Sequence, residues 1–203
     1  MVRRIAVSVG HNPEDPGFKV NNVSEYSEMS VLVGMVVQKI QRVGHEAYHV
    51  GTGELEEKVD YINAIAPDCA IELHLNAGGG HGYETLHYPG SVQGKALAAS
   101  VNSSVGLVLN SRNRGIKEGW YRMDRPGVED YQGDVDGDEN IDYFLAQTNC
   151  PAIIFEMYFL DNVEERAKYI GALSILDAVA ERIVDGIFNY FVHVDIRATG
   201  HTN

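Results

Sequence analysis

Residues 69–76, CAIELHLN, alternate with period two. Ile71, Leu73 and Leu75 point one way; Glu72, His74 and Asn76 point the other. The run stops at Gly78-Gly79-Gly80. Further apolar runs or alternations predict strands over residues 4–9, 46–50, 83–87 and 151–159, with a short one at 113–117. Helical spacing of Met29, Leu32, Val33, Val36, Ile40 and Val43 predicts a helix over 25–43. Ser24 is its N-cap and Gly44 its stop. Other helices are expected over 54–65, 92–109, 162–170 and 175–191, and residues 144–147 are left without an assigned element.

Strands alternating with helices predict an α/β fold. It is a single domain with a mostly parallel twisted sheet and helices on both faces, phosphorylase/hydrolase-like in class. The domain is expected over 1–194, with an acidic, turn-rich insertion at about 122–142 and a flexible tail over 195–203. Within the insertion, Asp134, Asp136, Asp138, Asn140 and Asp142 resemble a calcium loop. It lacks the usual glycine and closing glutamate, so a solvated acidic loop is the default reading.

Charge narrows the partners. Sixteen basic residues against twenty-nine acidic ones give a net charge of -13 and a pI near 4.9. No nucleic acid is expected as a partner, because binding it requires a basic surface. Anionic membrane surfaces are disfavoured for the same reason. No membrane-spanning run and no signal peptide is seen, so synthesis in the cytoplasm is expected. Cys69 and Cys150 each open an apolar run and read as buried thiols, not as a disulfide framework. The oligomeric state is left open, with a monomer as the simpler expectation.

The chemistry-bearing residues fall at strand ends. His11 follows the first strand, His74 ends the third, and Glu156 lies inside PAIIFEMYF. In a parallel sheet His11 and His74 share one edge. Glu25 opens the first long helix, where the dipole favours a carboxylate, and the loop from residue 11 can fold back to it. Glu28, one turn on, is its rival. Two imidazoles and a carboxylate form a catalytic zinc set with a place left for water, and a separate carboxylate serves as general base. No HExxH pair is present, so these ligands would converge from distant positions. Glu156 is hard to account for as structure alone, since a carboxylate in an apolar strand needs a partner or a raised pKa.

Several stretches, in order, resemble one family. VSVGHNPEDPG, SEYSEMSVLVGMVVQKIQRVGHE, IELHLNA, GYETLHY, RGIK and PAIIFEMYFLDNVEE are similar to segments of the zinc-dependent N-acetylmuramoyl-L-alanine amidases. The phage-endolysin branch is nearest, and the matches span about residues 4–190. The resemblance implies one Zn2+ per chain held by His11, Glu25 and His74, with Glu156 as the catalytic glutamate. It implies hydrolysis of the bond between N-acetylmuramic acid and L-alanine in bacterial peptidoglycan, for lysis or wall remodelling. Asn76, Gly78 and Gly79 are candidates for the substrate groove. Glu72 stands where many relatives carry serine and is a candidate to accept a hydrogen bond from a ligand imidazole. The acidic insertion also departs from the family pattern. A zinc peptidase acting on the peptide stem and an inactive wall-binding module are the alternatives.

Overall fold

The computed structural model describes residues 1–122 and 139–198. Most of the acidic insertion, including Asp134, Asp136 and Asp138 of the calcium-like run, lies outside the described residues. So does the tail beyond residue 198.

The core is a six-stranded sheet. Its strands are β1 (Arg4–Val9), β4 (Glu46–Val50), β5 (Cys69–Asn76), β6 (Tyr83–His87), β7 (Asn113–Glu118) and β10 (Ala152–Phe159), in the order β4-β1-β5-β10-β6-β7. Pairings β1–β4, β1–β5, β5–β10 and β6–β7 are parallel, while β6 runs antiparallel to β10. The sheet is therefore mostly parallel, as its sequence implied, with one direction change that alternation alone does not reveal. Two small hairpins complete the strands: β2 (Lys19–Val20) with β3 (Val23–Ser24), and β8 (Trp120–Arg122) with β9 (Glu139–Ile141).

One face of the sheet is apolar along its whole length. Ile5, Val7, Val9, Ile71, Leu73, Ile153 and Phe155 pack there against α1 (Glu25–Arg42), α3 (Val92–Val105) and α6 (Leu173–Ala198). Short α5 (Val163–Tyr169) follows β10. α6 runs seven residues past Phe191, so residues 195–198 are helical and not tail. α3 stops at Val105, and residues 106–109 continue only as turns.

The opposite face is divided. Its lower half is a smaller apolar cluster of Ala6, Ala70, Leu86 and Ile154, covered by Val59 and Ile62 of α2 (Leu55–Ile65) and by Phe144 and Leu145 of α4 (Tyr143–Gln147). Residues 144–147 are thus helical; the Asp142 carboxylate caps the turn by accepting from the Leu145 N–H. On the upper half, toward the C-terminal ends of β1, β5 and β10, the same alternation places Ser8, Glu72, His74, Asn76, Glu84 and Glu156. This half is where an open α/β sheet places its ligand. Cys69 and Cys150 are both free thiols; Cys69 is buried and Cys150 half-buried.

Candidate metal centre

The polar row is fixed by register. His74 is paired with Glu156 across β5–β10, and Glu156 with Glu84 across β10–β6. Paired residues in a sheet project to the same side, so these three side chains stand in line on one face. The β5–β10 ladder slips between Glu156 and Phe159, which bends β10 just past the row.

His11 reaches the row from the end of β1. The Gly10 N–H continues the ladder by donating to the Leu73 carbonyl at 2.9 Å, and His11 then turns the chain with φ of 65°. Asn12 stabilises the turn: its side-chain oxygen accepts from the N–H groups of Glu14 and Asp15. The chain returns through the β2–β3 hairpin. Ser24 caps α1 in a reciprocal pair with Ser27, and Glu25 becomes the first helical residue. The loop from His11 to Glu25 folds back to the sheet edge, as expected.

Glu25 bridges both histidines. Its Oε2 lies 3.1 Å from His11 Nε2 and its Oε1 3.0 Å from His74 Nδ1; Oε1 also accepts from the Leu75 N–H at 2.9 Å. The two rings meet edge-on with centroids 5.3 Å apart. Glu28 does not compete: its carboxylate accepts from the Gly171 N–H, away from the site. Burial opposes ionisation of Glu25, but hydrogen bonds from His11 and His74 outweigh it and hold the carboxyl down at about 2. Burial likewise opposes charge on His74, yet Glu25 and Glu72 raise it well above the ordinary histidine value, with Glu156 adding to the effect.

Glycine makes the convergence possible. A Cβ on Gly10 would come within 2.5 Å of the His74 ring. Gly17 has φ of 68°, and its Cβ would come within 2.5 Å of His11 Cδ2 and 2.7 Å of Glu25 Oε2. Both glycines fall within the VSVGHNPEDPG segment that carries the family resemblance.

Glu72, Ser8 and Lys58 form a layer behind the ligands. Glu72 Oε2 accepts from His74 Nε2 at 3.1 Å, and its Oε1 accepts from Ser8 Oγ at 2.8 Å. Burial works against its charge, but His74, Lys58 and Ser8 together bring its pKa below the ordinary value. Lys58, only 3% exposed, donates to the carbonyls of Val9 and His11.

On the far side of Glu156, Glu84 is fully buried. Its Oε1 accepts from Asn76 Nδ2 at 2.6 Å, and its Oε2 accepts from Arg114 Nε and Lys117 Nζ, each at 2.6 Å. The N–H groups of Gly78 and Gly79 both donate to Asp161 Oδ2, at 2.9 and 2.6 Å. Asn76 thus joins the polar row through Glu84, while the Gly78 and Gly79 donors are engaged by Asp161.

The donor set fits a zinc ion. Ligand atoms of His11, Glu25 and His74 lie within 4.8 Å of one another. Donors around a tetrahedral ion at ~2 Å stand ~3.3 Å apart, a spacing that falls inside that limit. Charge fits as well. Buried carboxylates crowd this face, Glu25, Glu72 and Glu156 beside Lys58 and Glu84 beside Arg114 and Lys117, and such a surplus of acids would favour a bound cation.

Residues 5–189 match the Amidase_3 family, N-acetylmuramoyl-L-alanine amidase. The chain is 27% identical over 197 residues to the endolysin of Bacillus phage SPP1, covering 92% of this chain and 65% of that protein. It is 22% identical to the N-acetylmuramoyl-L-alanine amidase CwlM of Bacillus licheniformis, covering 93% of this chain and 68% of that one. The chain thus spans about two thirds of the length of these relatives. In fold it is similar to the crystal structure of N-acetylmuramoyl-L-alanine amidase from Clostridium difficile 630, with a TM-score of 0.75 at 24% identity, covering 94% and 97% of the two chains. With the match running from β1 through α6 and the ligand-grade residues gathered at one sheet edge, this chain belongs to the N-acetylmuramoyl-L-alanine amidase family.

Proposed function

We propose that this protein is a zinc-dependent peptidoglycan hydrolase. It cleaves the amide bond between the lactyl carbonyl of N-acetylmuramic acid and L-alanine, and it acts on the bacterial cell wall in lysis or remodelling. The observation that carries this reading is the pairing of His74 with Glu156 in one sheet register, beside three ligand atoms within 4.8 Å. A carboxylate next to a metal ligand, but outside the ligand set, is what a hydrolytic site requires.

In this reading His11 Nε2, a Glu25 oxygen and His74 Nδ1 would hold the ion, which when bound would supply an acidified water and a Lewis acid for the substrate carbonyl. Glu156 accepts the water's proton and delivers it to the departing alanine nitrogen. Its burial, with 8% exposure, keeps that proton from exchanging freely with bulk water. Glu72 orients the His74 ring through Nε2, leaving Nδ1 for the metal. Asn76, Gly78 and Gly79 edge the groove. Among the described residues no helix is long and apolar enough to cross a membrane.

Product analysis tests the proposal. Purified walls digested with the zinc-loaded protein are expected to yield new alanine amino termini and free lactyl carboxyls, and a chelator should abolish the reaction. New amino termini on other stem residues would instead assign a peptidase. Wall binding without any release would assign an inactive module.

A further inference from the structure

Lys58 is the one ammonium buried on the site's face of α2 among the described residues. Burying an ammonium costs several kcal/mol unless its donors are taken up, and a lysine on this helix could otherwise reach water. Its Nζ instead donates to the carbonyl of Val9 at 2.6 Å and to the carbonyl of His11. These two carbonyls are two residues apart. They converge on one nitrogen because Gly10 and His11 turn the chain there, His11 in the left-handed region at φ 65°. For a non-glycine residue that conformation costs about 1–2 kcal/mol and persists only where surrounding contacts hold it. The His11 side chain is 31% exposed, so packing alone confines it little.

Extending the zinc reading above, we propose that Lys58 is a positioning residue that clamps the β1 turn and thereby sets His11 Nε2 at ligating distance from the metal. The ammonium also lies in the field of Glu72, which accepts from His74 Nε2. A helix that supplies no ligand thus holds the His11 turn through its backbone carbonyls.

The test uses Lys58→Met, which keeps the aliphatic stem and removes the donors, with Lys58→Arg as the conservative variant. Zinc affinity is measured by competition with a chromophoric chelator, and ligand geometry by the visible spectrum of the Co2+-loaded protein. Lys58→Met is expected to bind zinc about 10–100-fold more weakly, the usual effect of losing support behind a ligand. Its cobalt spectrum should change shape. Lys58→Arg should recover most of the affinity and the wild-type spectrum, and excess zinc should restore turnover in Lys58→Met. A folded Lys58→Met protein with zinc affinity within about twofold of wild type and an unchanged cobalt spectrum overturns the proposal. If Lys58→Met does not fold, Lys58→Met with Glu72→Gln removes both buried charges and is compared with Glu72→Gln alone. Zinc affinity in the double variant equal to that of Glu72→Gln, or its failure to fold, also overturns the proposal, the latter by assigning Lys58 to the stability of the domain. Wild-type protein that binds no zinc would bring down the underlying site reading instead, whatever Lys58 does.

Discussion

Glu72 Oε2 sits 3.1 Å from His74 Nε2, on the side of the ring opposite Glu25. One imidazole is therefore gripped by two carboxylates, and the grip on Nε2 decides that Nδ1 faces the ligand cluster. A carboxylate behind a ligand imidazole fixes its tautomer and raises its basicity. Glu72→Gln preserves the size and one acceptor but removes the charge. Zinc affinity is expected to fall about tenfold, with a smaller loss of rate at saturating zinc. Chelator competition checks the first and wall-turbidity kinetics the second; an unchanged affinity and rate would remove Glu72 from the site's machinery.

Gly17 offers a test of the loop rather than the ligands. An alanine there would meet His11 Cδ2 at 2.5 Å and adopt φ of 68°. The backbone cost alone is about 1–2 kcal/mol, and the contact forces His11 or Glu25 to move. Gly44, with φ of 86° and open space around its missing Cβ, provides the control. Both alanine variants should lower the melting temperature. Only Gly17→Ala should also weaken zinc binding, by more than about tenfold. Equal zinc affinities in the two variants would show that the loop adapts without disturbing the ligands.

The sequence displays the ligands more readily than their support. His74 is legible because Glu72, His74 and Asn76 interrupt a strand whose other face is wholly apolar. Glu156 is legible because PAIIFEMYF is otherwise apolar throughout. The choice between Glu25 and Glu28 is not decided by the helix pattern: both are buried first-turn acids, and only the fold sends one to the histidines and the other to Gly171. Lys58 is less legible, one charged residue among several in the 54–65 helix. Its signal was present, since residues 58, 62 and 65 form one helical stripe and a lysine interrupts it. Glu84 had a similar mark, an acid sharing a strand face with Leu86. The antiparallel course of β6 left no such trace, because alternation reports which face a residue occupies and not which way the strand runs.

Glu156 has a separable effect. It stands beside His74 in register without belonging to the ligand cluster. Glu156→Gln keeps the volume and loses the capacity to accept a proton. The expected outcome is a drop in kcat of about 10²–10⁴-fold, with zinc stoichiometry retained and wall binding preserved. Single-turnover kinetics alongside metal analysis check this. Retention of most of the activity would mean that another group takes the water's proton.

Glu28 gives a pH dependence distinct from the site. Burial raises its pKa, and the bond from the Gly171 N–H, 2.8 Å long, offsets this only in part. The folded state therefore binds this proton more tightly than the unfolded chain. By linkage, the group's contribution to stability is largest at low pH and declines as pH rises from the ordinary glutamate range through the raised value. At neutral pH the ionised, buried carboxylate works against folding. Glu28→Gln keeps an oxygen to accept from Gly171 and carries no charge. The variant should melt above wild type near pH 7, and the gap should narrow as the pH falls toward ~4, where wild-type Glu28 is protonated too. Paired melting curves across that range, both proteins at the same zinc loading, read the difference directly. A gap that widens on acidification would mean that Glu28 is stabilised as a carboxylate, and that its bond to Gly171 outweighs its burial.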